Sequence, residues 1–234
     1  MAAPEQLTQA FRKANVILSA RTVRDMLAIW PMFHGDVESF NGWVRAAGLV
    51  IERDRKVATG LAIAYLKAHR AASGITGTAP IVTADPIPPT QVVASLAATT
   101  FPHVRRAATV EQGLRTAFVT SSGAASRLAI NGGRDTIVAT IKADRHSVGW
   151  FRTTSGNPCA FCAMIASRGA VYKSEATAEF RPHDHCHCEP EPVYEGQSTL
   201  PKGPAAGWAR LYQENATGHG KELLNSFRRA YESA

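Results

Sequence analysis

The chain has no apolar run long enough to cross a membrane. Its longest, Met26 to Phe33, is already broken by Pro31, against the ~20 residues a spanning helix needs. A secretory leader is not expected either, because Glu5 comes early and Arg12 and Lys13 sit inside an amphipathic pattern. The expectation is a protein made and used in a cytoplasm. Cysteine is scarce: there are 4, and all fall between positions 159 and 188. A secreted disulfide scaffold would scatter its cysteines along the chain, so this clustering argues for a metal rather than for disulfides. Internal repeats and low-complexity tracts are absent.

What is present suffices for an ordinary globular protein. With 234 residues, 45% of them hydrophobic, the chain can bury a core as one or two domains. The net charge of +7 is uneven, with most of the basic surplus in residues 101–152 and near balance from 153 onward.

The residues predict a mainly α fold, with long N-terminal helices and a small C-terminal zinc-stabilised α+β subdomain. From Leu7 to Trp30, apolar residues recur every three to five positions, and Pro31 ends this first helix. Asp36 or Ser39 can cap a second, whose stripe of Phe40, Trp43, Ala47, Ile51, Ala58, Ala62 and Tyr65 runs to about Ala68. Residues 1–72 therefore read as a helical arm or hairpin. Residues 73–90, with four prolines and two glycines, read as a linker or extended excursion. Residues 91–148 form a helical basic region, with helices at Gln91–Thr99 and Val110–Leu128, a turn at Gly132-Gly133 and a further stretch at Asp135–Ala143. Residues 149–234 are the zinc-binding region. In it, Pro190–Gly207 reads as loop, and two short helices follow, separated by Gly218-His219-Gly220.

Cys159-Ala160-Phe161-Cys162 is a Cys-x-x-Cys turn that points two sulfurs the same way. His183-Asp184-His185-Cys186-His187-Cys188 follows, with more donors than one ion can use. The expected metal site is drawn from Cys159, Cys162, His183, Cys186 and Cys188, and which four of them bind stays open. A thioredoxin-like redox pair explains the first motif alone, but it does not call for the second cluster. Four protein ligands close the coordination shell, which makes zinc here structural rather than catalytic.

These residues, with Gly149-Trp150-Phe151-Arg152, Pro158 to Met164, Ser167-Arg168-Gly169, Tyr172, and the tail Trp208 to Tyr212 and Asn225 to Tyr231, resemble the MuF-like minor capsid proteins of tailed phages, in the form found in actinobacterial phages. The specific match covers about residues 149–231, and His183, Cys186 and Cys188 match the family's His-x-x-Cys-x-Cys end. The resemblance implies a head-morphogenesis protein in the virion, made in the host cytoplasm. It would be present in several copies at the portal vertex or head interior, with portal protein, major capsid protein or packaged DNA as partners. Relatives carry an added toxin or enzyme domain, which is not expected here.

Two alternatives follow. Many relatives are labelled capsid maturation proteases, and Ser121, Ser122 or Ser126 could be combined with His103 or His146 and Asp135 or Asp144. No nucleophile-elbow pattern surrounds these serines, so no catalytic residue is assigned. The second alternative is DNA contact through Arg105, Arg106, Arg115, Arg127 and Arg134, with Lys142, Arg145 and Arg152 as further candidates. For nuclease chemistry, Asp184-His185 is the only hint.

Overall fold

The computed structural model describes residues 2–154, 157–172, 180 and 182–234. Helix α1 spans Pro4–Ile29, with proline at its first position, where its missing N–H costs nothing. A single 3-10 turn, Trp30–Met32, leads to α2, Val37–Ala72. Asp36 caps α2 by accepting the Ser39 N–H at 2.8 Å. A turn at Ser73-Gly74 ends α2, residues 75–88 form no helix or strand, and the N–H groups of Val82 and Ala84 donate to Thr140 and Thr136. Alternate backbone groups of the excursion are thus satisfied by a helix face rather than by a sheet. Helix α3 spans Pro89–Arg106 and α4 spans Val110–Ala143.

Helix α4 packs against α1, α2 and α3, so its middle is buried on nearly every side. This corrects the turn expected at Gly132-Gly133. A Cβ at Gly132 would lie 2.6 Å from the Arg55 carbonyl oxygen, and one at Gly133 would lie 2.8 Å from that of Ala58. Both glycines stay helical because they let α2 and α4 approach backbone to backbone.

The rest is small α+β structure, as expected. Strand β1, Ser147–Thr153, lies between β2, Val171–Tyr172, and β3, Glu189–Tyr194, antiparallel to both. Trp150 pairs with Val171 on one side and with Pro192 on the other. Strand β3 replaces the start of the loop expected at Pro190–Gly207. Its two prolines are tolerated because it is a sheet edge, where a missing N–H need not break a ladder. Helix α5, Ala160–Ala166, begins inside the Cys-x-x-Cys motif, and α6, Pro204–Asn215, and α7, Lys221–Glu232, pack on it through Met164, Phe227 and their neighbours.

The core is continuous from the helices into the sheet. At one end of the bundle, Met26, Phe33, Phe40, Trp43, Leu96 and Leu128 pack together. At the other, Phe11 of α1, Tyr65 of α2 and Ile137 of α4 share a cluster with Trp150, Cys162, Phe180, Cys186 and Cys188. Among the described residues, no helix is long and apolar enough to cross a membrane.

Candidate metal centre

The five expected donors converge. Cys159, Cys162 and His183 form one group, and Cys162, Cys186 and Cys188 form a second, with the donor atoms in each group lying within 4.8 Å of one another. Cys162 belongs to both. Three local structures bring the donors together: the first turn of α5 holds Cys159 and Cys162, the approach to β3 holds Cys186 and Cys188, and a turn at 184–185 delivers His183.

The spacing fits a tetrahedral ion. With Zn–S near 2.3 Å and Zn–N near 2.0–2.1 Å, the edges of a zinc tetrahedron are about 3.8 Å between sulfurs and about 3.6 Å between sulfur and nitrogen. Cys162 and Cys186 sulfurs are 3.8 Å apart, and the Cys162 sulfur lies 3.6 Å from His183 Nε2. Cys159 approaches the same nitrogen at 3.1 Å, so it would have to draw back slightly around an ion.

The tautomer of His183 is fixed by its surroundings. A carbonyl can only accept, so His183 Nδ1 is the atom that carries the proton, donating to the Asp184 carbonyl at 2.7 Å. That leaves the Nε2 lone pair facing the sulfurs, the orientation a metal-binding imidazole needs. The Cys188 N–H donates to the Cys186 sulfur at 3.5 Å, a contact that stabilises a thiolate. Contacts with the Cys162 and Cys188 thiols hold Cys186 far below the ordinary thiol value, and contacts with Cys186 and Cys188 push Cys162 far above it. The sulfurs therefore share protons that a bound cation would displace.

The loop that carries these donors is seated on one face of α4. Arg127 Nε reaches the Asp184 carboxylate at 2.6 Å, and Arg134 Nη2 donates to the Cys186 carbonyl at 2.6 Å. One turn before Arg127, Gly123 makes room for an imidazole, since a Cβ there would collide with the His185 ring. His185 has φ of 59°, a left-handed backbone that a non-glycine residue adopts only at a cost. Arg134 also pairs with Glu189 at 3.4 Å and lies over the Phe180 ring. Burial outweighs that ion pair and lifts the Glu189 carboxyl to about 7.

These placements bear on the two alternative readings. Arg134 is fully buried and committed to the metal loop, so it cannot meet phosphates. Arg127 is held by Asp184 and Ser95, and Arg152 is buried over Phe180. Arg115 pairs with Glu111, and Arg105 and Arg106 end α3. With Arg127 on its carboxylate, Asp184 is not placed as a metal ligand for nuclease chemistry.

The serine triad is not assembled. Ser121 and Ser122 donate to carbonyls one turn back in α4, and Ser126 bonds Ser19 at 2.5 Å. Asp135 faces Arg55, Asp144 faces Arg70, and His146 faces Glu195. Among the described residues, none of the three serines is hydrogen-bonded to a histidine.

Sequence reasoning named the five side chains that the fold brings together and missed their supports. Gly123, Arg127 and Arg134 stand four and seven residues apart, a helical spacing, but nothing local separates them from surface residues. No curated protein and no solved structure gives a significant match to the chain. A family model described as VG15 protein matches residues 2–215, which takes in the whole helical bundle as well as the metal centre. The chain therefore belongs to the VG15 protein family, a phage-associated family of viral proteins.

Proposed function

We propose that this chain is a structural minor capsid protein of a tailed phage, a MuF-like head-morphogenesis component at the portal or inner capsid, with zinc as a structural part of its fold. The observation that carries the reading is the position of the donors in the main core, where Cys162, Cys186 and Cys188 pack with Phe11, Tyr65, Ile137 and Trp150. A catalytic metal needs an open coordination position facing a cleft. Cys162, Cys186 and Cys188 are buried in the core while Cys159 and His183 are exposed, and a set of five thiol and imidazole donors leaves no such position once four have bound.

When bound, the ion supplies a cross-link between the start of α5 and the loop before β3. Arg127 and Arg134 carry that rigidity to α4. A rigid connection of this kind suits a protein that must hold a fixed geometry inside an assembly. Family membership supports the phage origin, and the resemblance of residues 149–231 supports the role in the head.

The test is the intact mass and N-terminus of the phage's major capsid protein, produced with this chain and without it. An uncut capsid protein, with this chain present in assembled heads, is the expected result. Cleavage that needs this chain and vanishes on replacing Ser121, Ser122 or Ser126 would make it a maturation protease and overturn the reading.

A second reading, non-specific contact with packaged DNA, is favoured by exposed Arg105, Arg106 and Arg115 near the α3–α4 junction. Three phosphate contacts predict an affinity loss of about 40-fold between 50 and 200 mM salt.

A further inference from the structure

Glycine is among the poorest helix formers, so glycine inside a long helix calls for a packing reason. In α4 that reason is visible at Gly123, Gly132 and Gly133, where a side chain would collide with the loop or with α2. Gly42, Gly48 and Gly60 of α2 have no such reason, since a Cβ at any of them would meet nothing within 4 Å among the described residues. Of these three, Gly48 alone lines a groove of about 890 Å³ between α2 and residues 83–93.

The groove is apolar where the chain leaves apolar surface uncovered. Leu49 is 70% exposed and Val93 43% exposed, while Val44 and Val92 line the same space and are buried. Along α2 the groove runs from Val44 to Thr59, sixteen residues or ~24 Å. That is the length of a helix of about four turns.

Charge gives the groove a direction. Three of its charged groups are already satisfied, since Glu52 and Lys56 pair with each other at 2.8 Å and Arg55 pairs with Asp135 at 3.0 Å. Arg45 and the Asp85 carboxylate have no ion pair among the described residues. Arg55 donates to the Asp85 carbonyl, which places Asp85 ten residues, ~15 Å, along α2 from Arg45. A helix carries partial positive charge at its N-terminus and negative charge at its C-terminus. A guest helix is therefore best accommodated with its N-terminal end at Asp85 and its C-terminal end at Arg45.

We propose that this groove is the docking site for an amphipathic helix of another virion protein, laid antiparallel to α2, with a large apolar side chain seated over Gly48. Helix-in-groove recognition works in this way, with apolar residues of one helix face as anchors. The proposal rests on the virion reading above.

The experiment assembles heads with a chain whose Leu49 is replaced by the photo-cross-linker p-benzoylphenylalanine, and identifies the adduct by mass spectrometry. The expected result is an adduct to a helical segment of a different virion protein. Gly48→Leu, added to the same chain, should melt at or above the parent temperature and cut the adduct at least tenfold, because it fills the guest's place without touching the fold. Val93→Lys, on the opposite wall, should do the same and stands in if Gly48→Leu fails to fold. An adduct between two copies of this chain overturns the assigned occupant, and an adduct unchanged by either variant overturns the groove. Heads that contain the chain but give no adduct overturn the groove and leave the virion reading intact. Heads that lack the chain overturn both.

Discussion

His69 is 1% exposed in α2, and among the described residues neither of its ring nitrogens has a hydrogen-bond partner. Tyr65 and Tyr194 rings pack against it, and Lys202 adds a repelling charge. Burial, with Lys202 in second place, lowers its pKa from 6.5 to about 4. The folded value lies below the unfolded one, so the folded chain binds fewer protons between the two. The stability that comes from keeping His69 neutral is thus complete above pH 6.5 and is lost as pH falls toward 4. A gap of 2.5 between the two values corresponds to about 3 kcal/mol in full, of which about 2 kcal/mol is lost between pH 7 and 4.5.

His69→Leu removes this dependence and the two unpartnered nitrogens together. The variant should equal or exceed the parent at pH 7, since unpartnered buried polar groups cost about 1–3 kcal/mol each. Urea unfolding of both proteins at pH 7 and 4.5 gives the comparison, and the acid sensitivity of the metal centre, common to both, cancels in the difference. The gap should widen in favour of the variant by about 2 kcal/mol, or roughly 4–8 °C in melting temperature for a chain of this size. Parallel pH curves for the two proteins would refute the reasoning.

Cys162 is buried and shared by both donor groups, whereas Cys159 is exposed. Cys162→Ser should lose the metal and most soluble yield, because structural zinc contributes about 10–16 kcal/mol in small peptides and whole domains are stable by only about 5–15 kcal/mol. Cys159→Ser should lose less, and metal content per chain with melting temperature measures both. Arg134→Met strands buried Glu189 and should cost about 3–5 kcal/mol, part of which Glu189→Gln in the same chain restores; unchanged denaturant midpoints would count against that role. Gly133→Ala should destabilise by about 1–3 kcal/mol through its clash with the Ala58 carbonyl. Gly48→Ala should stabilise by up to about 1 kcal/mol, and equal midpoints for the two glycine variants would remove the distinction drawn between them.

The parts of the fold that were legible in the sequence are those encoded within a few residues. The apolar spacing from Leu7 to Trp30 and from Phe40 to Tyr65 marks helices because each buried position has its partner one turn away on the same element. Asp36 reads as a cap for the same reason. The convergence of the Cys/His cluster was legible because Cys-x-x-Cys and His-x-x-Cys-x-Cys place sulfur and nitrogen at spacings that ordinary packing does not need. Gly132-Gly133 misled because a glycine pair that ends one helix and a pair that lets two helices touch look alike locally. The deciding neighbours, Arg55 and Ala58, lie far away in the chain. Strand β3 was hidden by Glu-Pro-Glu-Pro, which reads as loop unless the segment is known to be a sheet edge.

Arg134 shows the same limit at the site itself. In the sequence it is one of eight basic residues between 101 and 152, and a surface role is the reasonable expectation for any of them. In the fold it turns inward, as Arg152 also does, because the Cys186 carbonyl, Asn131, the Glu189 carboxylate and the Phe180 face supply partners for a planar guanidinium. A lysine could not replace it, having a single point charge where several fixed donors are used. Glu189 in turn accepts from Asn15 of α1. One chain of contacts therefore runs from α1 through β3 to α4 and ends on the backbone of a metal donor. Loss of the metal should accordingly be felt as far away as α1. Slowed backbone amide exchange around Asn15 on adding zinc to the metal-free chain is the expected sign, and exchange there that ignores zinc would show that the helical bundle and the metal centre are stabilised separately.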